Sequence, residues 1–258
     1  MGIVNDRKAL LLELLAERRQ MTIYEVAQHF DISLPTARLL CSGLAQEGNA
    51  FRMHGGIRYL PVINETYTLN QARKEFPAEK NAIAKHASKM IADDDVVFLE
   101  AGSTVFELAL VLAERYQNNE LSKMVFFTNS MSNLKVLSPL CDVSLIGGRY
   151  RREQQDFRGY LSDRMINDLR FDYAFLSADG ISLENGIMAL DVETVRFVEI
   201  LTQRTAKLIV LADSSKFQRY SLISSIPIRK VSTIVTDKGL SDELYNKFTE
   251  IGGNIVRV

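Results

Sequence analysis

At 258 residues, 47% hydrophobic and 24% charged, the chain has the balance of a soluble globular protein, long enough to bury a core without staples in one large domain or two smaller ones. Its net charge of −1 excludes a global basic field advertising nucleic acid, and residues 1–60, with 7 Lys/Arg against 6 Asp/Glu, are barely positive. Cys41 and Cys141 lack CxxC spacing and His29, His54 and His86 lack metal-ligand spacing, which excludes a disulfide framework and a metal site and points to a reducing compartment.

The opening MGIVNDRKALL has no basic n-region followed by a long apolar run, and no apolar stretch approaches membrane-span length. A cytoplasmic location with no membrane partner is expected. From Asp6 to Arg19, Leu10, Leu11, Leu14 and Leu15 form an i, i+4 stripe opposite Glu13, Glu17 and Arg18, predicting an amphipathic helix. Thr22 caps a second helix, TIYEVAQHF, with Glu25 completing a capping box and Val26, Ala27 and Phe30 facing inward. Asp31-Ile32-Ser33 is a tight connection. Ser33 caps a third helix, Pro35 falls in its first turn where a missing N–H costs nothing, and Gly48 ends it. AFRMHGGIRYL then reads as strand, glycine turn, strand. Three helices and a small hairpin make the winged helix-turn-helix plan, assigned to residues 1–60. Its third helix, SLPTARLLCSGL, holds one basic residue, Arg38, followed by Leu39, Leu40 and Cys41. Leu40 and Leu44 have the spacing of an inward stripe.

Residues 61–78 are polar and weakly periodic and read as a linker, with a helix entered near Glu65. Residues 79–258 alternate apolar strands with amphipathic helices. The strands are VVFLEA, MVFFTN, DVSLIGG, DYAFLSAD, KLIVLAD, KVSTIVTD and NIVRV, mostly continuous apolar runs of the kind covered on both faces. The helices are VFELALVLAERY, SNLKVL, VETVRFVEILTQR and SDELYNKFTEI. The expected fold is α/β: a winged helix-turn-helix domain joined to a Rossmann-like, mostly parallel α/β domain.

Ligands of open parallel sheets gather outside the C-terminal strand ends. The first strand ends in Glu100-Ala101-Gly102-Ser103-Thr104 and runs into a helix. Such a turn offers N–H groups, hydroxyls and a favourable dipole to a phosphate; a plain strand-to-helix turn with Ser/Thr capping fits equally. Neither a Walker Lys nor a GxGxxG follows a strand. Asn129 ends the second strand, Gly148 the third, and Asp179-Gly180 the fourth. The fifth ends in Asp213, Ser215 and Lys216; the first two also suit N-capping, while Lys216 suits an anion. Together these describe a small polyol phosphate pocket. No Ser/His/Asp arrangement, activated cysteine or metal set is present, so no catalytic residue, metal or cofactor is expected. Asp179 as a general base beside Lys216 keeps isomerase chemistry open at this point.

With these strings in place, the chain resembles the DeoR family of bacterial transcriptional repressors over almost its whole length. The resemblance is carried by VAQHFDIS, the third helix with Ser33, Thr36 and Arg38, and the Arg52-Met53-His54-Gly55-Gly56 wing, then by FLEAGST, TNS, LIGG, FRGYLS, SADGI with ENG, and ADSSKF. It implies a sensor domain similar in fold to ribose-5-phosphate isomerase, a dimer or tetramer on operator DNA near carbohydrate uptake and catabolism genes, and release by a phosphorylated sugar or polyol. It also implies DNA contacts from Thr22, Ser33, Thr36, Arg38, Arg52, His54, Gly55 and Gly56. Gly102, Ser103 and Thr104 would hold the phosphate. Asp179, Asp213 and Lys216 would meet hydroxyls or phosphate, with Glu100, Asn129, Gly148, Gly180 and Ser215 completing the pocket. The isomerases carry a catalytic Lys where this chain reads ISLENGIMAL, which favours binding over catalysis. Two departures stand out: Glu100 replaces the family's Asp, and the basic residue after Arg38 is missing. The alternatives are an isomerase-like enzyme and a sensor whose DNA module has become a protein-contact surface.

Overall fold

The structure, a computed structural model, describes residues 2–18, 20–46, 50–53, 55–59 and 68–258. The chain divides into a unit of Met1–Thr66 and a unit of Tyr67–Val258.

The first unit runs α1 (Gly2–Arg18), β1 (Gln20–Thr22), α2 (Ile23–His29), α3 (Leu34–Gln46), β2 (Ala50–Met53) and β3 (Gly56–Tyr59). The three strands form an antiparallel sheet in the order β1-β3-β2. Leu11 and Leu15 of the expected stripe are fully buried, whereas Leu10 is 52% exposed and lies outside the core. Leu11 and Leu15 pack with Val26, Ala37, Leu40, Cys41, Leu44 and Ile57. The capping box at α2 forms as the sequence predicts: Glu25 N donates to Thr22 Oγ1 (3.1 Å) and Thr22 N donates to Glu25 Oε2 (2.6 Å). At the start of α3, Thr36 N donates to Ser33 Oγ (3.3 Å). β1 is an addition to the sequence reading. It exists because Gly56 lets β3 approach: a Cβ there would lie 2.6 Å from the Met21 carbonyl oxygen. Gly48 and His54 lie outside the described residues.

The second unit opens with α4 (Leu69–Ala72), capped by Thr68, and α5 (Pro77–Ser88). There follow β4 (Val96–Leu99), α6 (Ser103–Gln117), β5 (Val125–Thr128), α7 (Met131–Leu137), β6 (Val143–Leu145), β7 (Arg149–Arg151), β8 (Asp156–Arg158), α8 (Tyr160–Asn167) and β9 (Phe171–Ser177). The chain then makes β10 (Gly180–Ser182), β11 (Gly186–Ala189), α9 (Val192–Arg204), β12 (Thr205–Leu211), β13 (Ile223–Ile226), β14 (Thr233–Thr236), α10 (Asp242–Glu250) and β15 (Ile255–Arg257). Leu69 and Ala72 are buried, so part of the stretch read as linker belongs to the packing of this unit.

All seven expected strands join one parallel sheet in the order β15-β14-β12-β9-β4-β5-β6. Alternation along each strand supplies both faces. Phe98 and Ala174 enter a core with Phe171, Phe197 and Phe248, while Val97, Leu99 and Phe175 enter another with Val105, Leu108 and Phe126. From β4 the chain steps to β5 and β6 on one side, and β9 returns on the other. The gap between the ends of β4 and β9 is therefore the topological switch point, where open α/β sheets hold their ligands. A hairpin, β7-β8, and a small sheet, β10-β11-β13, were not legible as strands in the sequence.

Candidate functional site

A cleft with about 870 Å³ of empty space, its open mouth included, lies at that switch point. Glu100, Gly102, Ser103, Thr104, Asp179 and Lys216 line it. The β4 strand delivers Glu100, and α6 begins at Ser103 with its first N–H groups facing the cleft end of the sheet. Only glycine fits at 102, because a Cβ would fall 2.0 Å from Ser177 Oγ at the end of β9. The turn is braced from the segment after β5 and from α7: Ala101 N donates to Asn129 Oδ1 (3.1 Å), and Asn133 Nδ2 donates to the Glu100 carbonyl (3.1 Å).

Asn129, Gly148, Gly180, Asp213 and Ser215 stand outside the lining. Asn129 is fully buried behind the turn and also donates Nδ2 to the Phe157 carbonyl (3.3 Å). A Cβ at Gly148 would lie 2.7 Å from the Arg158 carbonyl oxygen, and one at Gly180 would lie 2.2 Å from the Arg219 carbonyl oxygen. Asp213 is fully buried and caps the short helical turn Ser214–Lys216, accepting from Ser215 N (3.2 Å) and from the Ser215 hydroxyl. Ser215 itself is exposed. This turn presents Lys216 to the cleft.

Sequence reasoning missed the other wall. The β7-β8 hairpin contributes Arg151, Asp156 and Arg158, and the start of α9 contributes Asp191 and Thr194. Arg151 forks onto Asp156 (2.8 and 2.7 Å) and reaches Asp191 (2.8 Å), which caps α9 through Thr194 N (2.8 Å). Arg158, 2% exposed, donates Nη2 to Glu100 Oε1 (2.5 Å), with its Nε 3.4 Å from Asp156 Oδ2. Its guanidinium lies over the Phe197 ring at 4.3 Å. Burial pushes the Glu100 carboxyl up to about 7, with Arg158 opposing that rise. Burial also raises the Asp179 carboxyl, whose Oδ2 accepts from Leu190 N (3.0 Å), against the pull of Lys216. The Lys216 ammonium is lowered, first by burial and then by Arg219. Among the described residues no group of three His, Cys, Asp or Glu is placed to hold a metal, and no described helix is long and apolar enough to cross a membrane.

In the first unit, α3 turns Ala37, Leu40, Cys41 and Leu44 inward and leaves Thr36, Arg38 and Leu39 exposed. Leu39 is 73% exposed. Ser42, on the same helix, accepts from Arg52 Nη1 (2.8 Å), so β2 and α3 share one polar surface. Gly55, with φ of 80°, turns the wing, and its carbonyl accepts from Ile23 N (2.9 Å), tying the turn to the start of α2. Burial raises the Cys41 thiol to about 11.

Residues 7–61 match the DeoR-like helix-turn-helix domain, and residues 75–238 match the DeoR C terminal sensor domain. The chain is similar to the transcriptional repressor AccR of Agrobacterium fabrum, at 32% identity over 91% of this chain and 90% of that one. It is similar to the L-fucose operon activator of Haemophilus influenzae, at 30% identity over 93% and 95%. It is also similar to the regulator GolR of Listeria innocua, at 26% identity over 96% of each. A solved D-ribose-5-phosphate isomerase in complex with phospho-erythronic acid aligns over 54% of this chain and 52% of its own, with 22% identity and a TM-score of 0.41.

Proposed function

The chain belongs to the DeoR family of transcriptional regulators, and on that premise we propose that it represses genes of carbohydrate uptake or catabolism and is released from its operator by a phosphorylated sugar or polyol held in the cleft. The observation that carries this reading is the Gly102-Ser103-Thr104 turn. It sits at the N-terminus of a long helix and opens onto a cleft shared with Lys216. Unpaired N–H groups, two buried hydroxyls, the helix dipole and one ammonium together suit a phosphate. Asp179 and Glu100 supply acceptors for the hydroxyls of the rest of the molecule. Asn129, Gly148, Gly180, Asp213 and Ser215 shape the walls that hold these groups in place.

On DNA, Arg38 reads a base edge from α3, and exposed Leu39 beside it gives an apolar contact for a thymine methyl. Thr22, Ser33, Thr36, Arg52 and the wing with His54, Gly55 and Gly56 meet phosphates and set the register. The protein acts in the cytoplasm as a homodimer or homotetramer. Effector binding favours the state with the lower operator affinity, and it does so only through a difference in its own affinity for the two states. A shift assay of the full chain on the upstream region of its own gene, repeated with a panel of sugar phosphates, tests this. One panel member should release the DNA and raise the melting temperature. Retention of DNA with every member, without any thermal shift, refutes the effector assignment.

A further inference from the structure

Arg158 has donor capacity that the protein leaves unused. Its Nη2 is taken by Glu100; its Nε lies 3.4 Å from Asp156 Oδ2 without a hydrogen bond, and its Nη1 has no hydrogen-bond partner among the described residues either. The side chain is 2% exposed, is clamped between two carboxylates and the Phe197 ring, and lines the cleft. A buried charged N–H left unpaired is costly, and an acceptor supplied from the cleft removes that cost. Glu100 and Asp156 already face the guanidinium from two sides, so an added anion would meet two acidic groups and an uncharged oxygen suffices. The Ser177 hydroxyl is a second buried, unpartnered group lining the same cleft.

Resting on the sugar-phosphate reading, we propose that Arg158 is a specificity-determining residue: its Nη1 donates to a hydroxyl or carbonyl oxygen of the effector's carbon chain, beside the Glu100 carboxylate that accepts from a neighbouring hydroxyl. The pair presents a donor and an acceptor side by side, the arrangement that matches oxygens on adjacent carbons. The phosphate stays with the Gly102-Ser103-Thr104 turn and Lys216. Arg158 thereby separates polyhydroxylated phosphates from bare phosphate. A site built this way rejects an analogue that lacks the oxygen, because its own buried groups are then stranded.

The test is titration calorimetry of the full chain with inorganic phosphate, glycerol 3-phosphate, and aldose, ketose and alditol phosphates of five and six carbons. The paired variant Glu100→Gln with Arg158→Met removes both charges together, so neither is left buried alone. It should lose on the order of 100-fold in affinity for the sugar phosphate that the wild-type chain binds most tightly, while inorganic phosphate changes by less than about threefold. Equal retention of both affinities overturns the proposal, as does an equal fall in both. If circular dichroism shows the pair unfolded, Arg158→Lys keeps the charge but not the fork. It should lose at least about tenfold for the sugar phosphate alone, and no loss overturns the proposal. Failure of the wild-type chain to bind any sugar phosphate removes the effector reading itself, at a separate step, and this inference with it.

Discussion

Replacing Glu100 by Gln should flatten the pH dependence of stability in the sensor unit. In the folded chain this carboxyl is pushed up to about 7 from an ordinary 4.5, mainly by burial. The folded state therefore keeps the proton to higher pH than the unfolded state. Its contribution is full below about 4.5 and is lost as pH rises through about 7. Between pH 5 and pH 8 the loss integrates to roughly 2–3 kcal/mol. Gln does not titrate, so the variant lacks this slope, whatever its absolute stability. Asp179 and Asp163 are also raised by burial, but both proteins carry them and they cancel in the difference. Urea unfolding of both proteins at pH 5, 6, 7 and 8, followed on the transition of residues 67–258, reads the effect. Parallel pH dependences of wild type and variant would refute the argument that this carboxylate is held desolvated beside Arg158.

Three further outcomes follow from the geometry. Gly102→Ala places a Cβ 2.0 Å from Ser177 Oγ and should cost about 1–3 kcal/mol, with partial recovery in the double variant with Ser177→Gly, measured by thermal unfolding. Thr22→Ala removes half of the capping box and should cost the first unit about 1 kcal/mol by calorimetry. Arg38→Ala should weaken operator binding by about 1–3 kcal/mol and relax preference at one base pair in a shift assay, whereas unchanged affinity and preference would mean that α3 is not the reader.

What could be read from the sequence was local. VVFLEA and KLIVLAD are continuous apolar runs, and both became strands of the parallel sheet with residues alternating into two cores. Thr22 and Glu25 stand three residues apart, and their box formed where the spacing put it. The apolar content of SLPTARLLCSGL is also explained by periodicity: Leu40, Cys41 and Leu44 anchor the helix, and Leu39 does not. Long-range pairing was not legible. Arg158 meets Glu100 across 58 positions, and RYRREQQDFRGY gives no periodic sign that its short strands form a hairpin. The departure noted at Glu100 gains a physical sense only with that partner, since its carboxylate reaches the buried guanidinium. Asn129 and Asp213 could be placed at strand ends, but how much of their hydrogen-bonding capacity the framework takes depends on neighbours far along the chain.

The alternating charges of Glu100, Arg158, Asp156, Arg151 and Asp191 bind the end of β4, the β7-β8 hairpin and the start of α9 into one wall. Glu100, Arg158 and Asp156 are its buried members, so a single exchange among these three leaves a buried partner without its counter-charge, at a cost of about 3–5 kcal/mol, a large share of what holds any domain folded. If the cleft holds the effector as proposed, divergence toward a different one has few one-step routes through this wall. It proceeds by compensated changes, with Arg158 leaving alongside Glu100 or Arg151 alongside Asp191. Ser103 and Ser177 face the same cleft from outside the wall, carry no charge, and can vary singly. Mutational libraries of this cleft should accordingly recover the wall residues as co-inherited blocks and the others as independent sites.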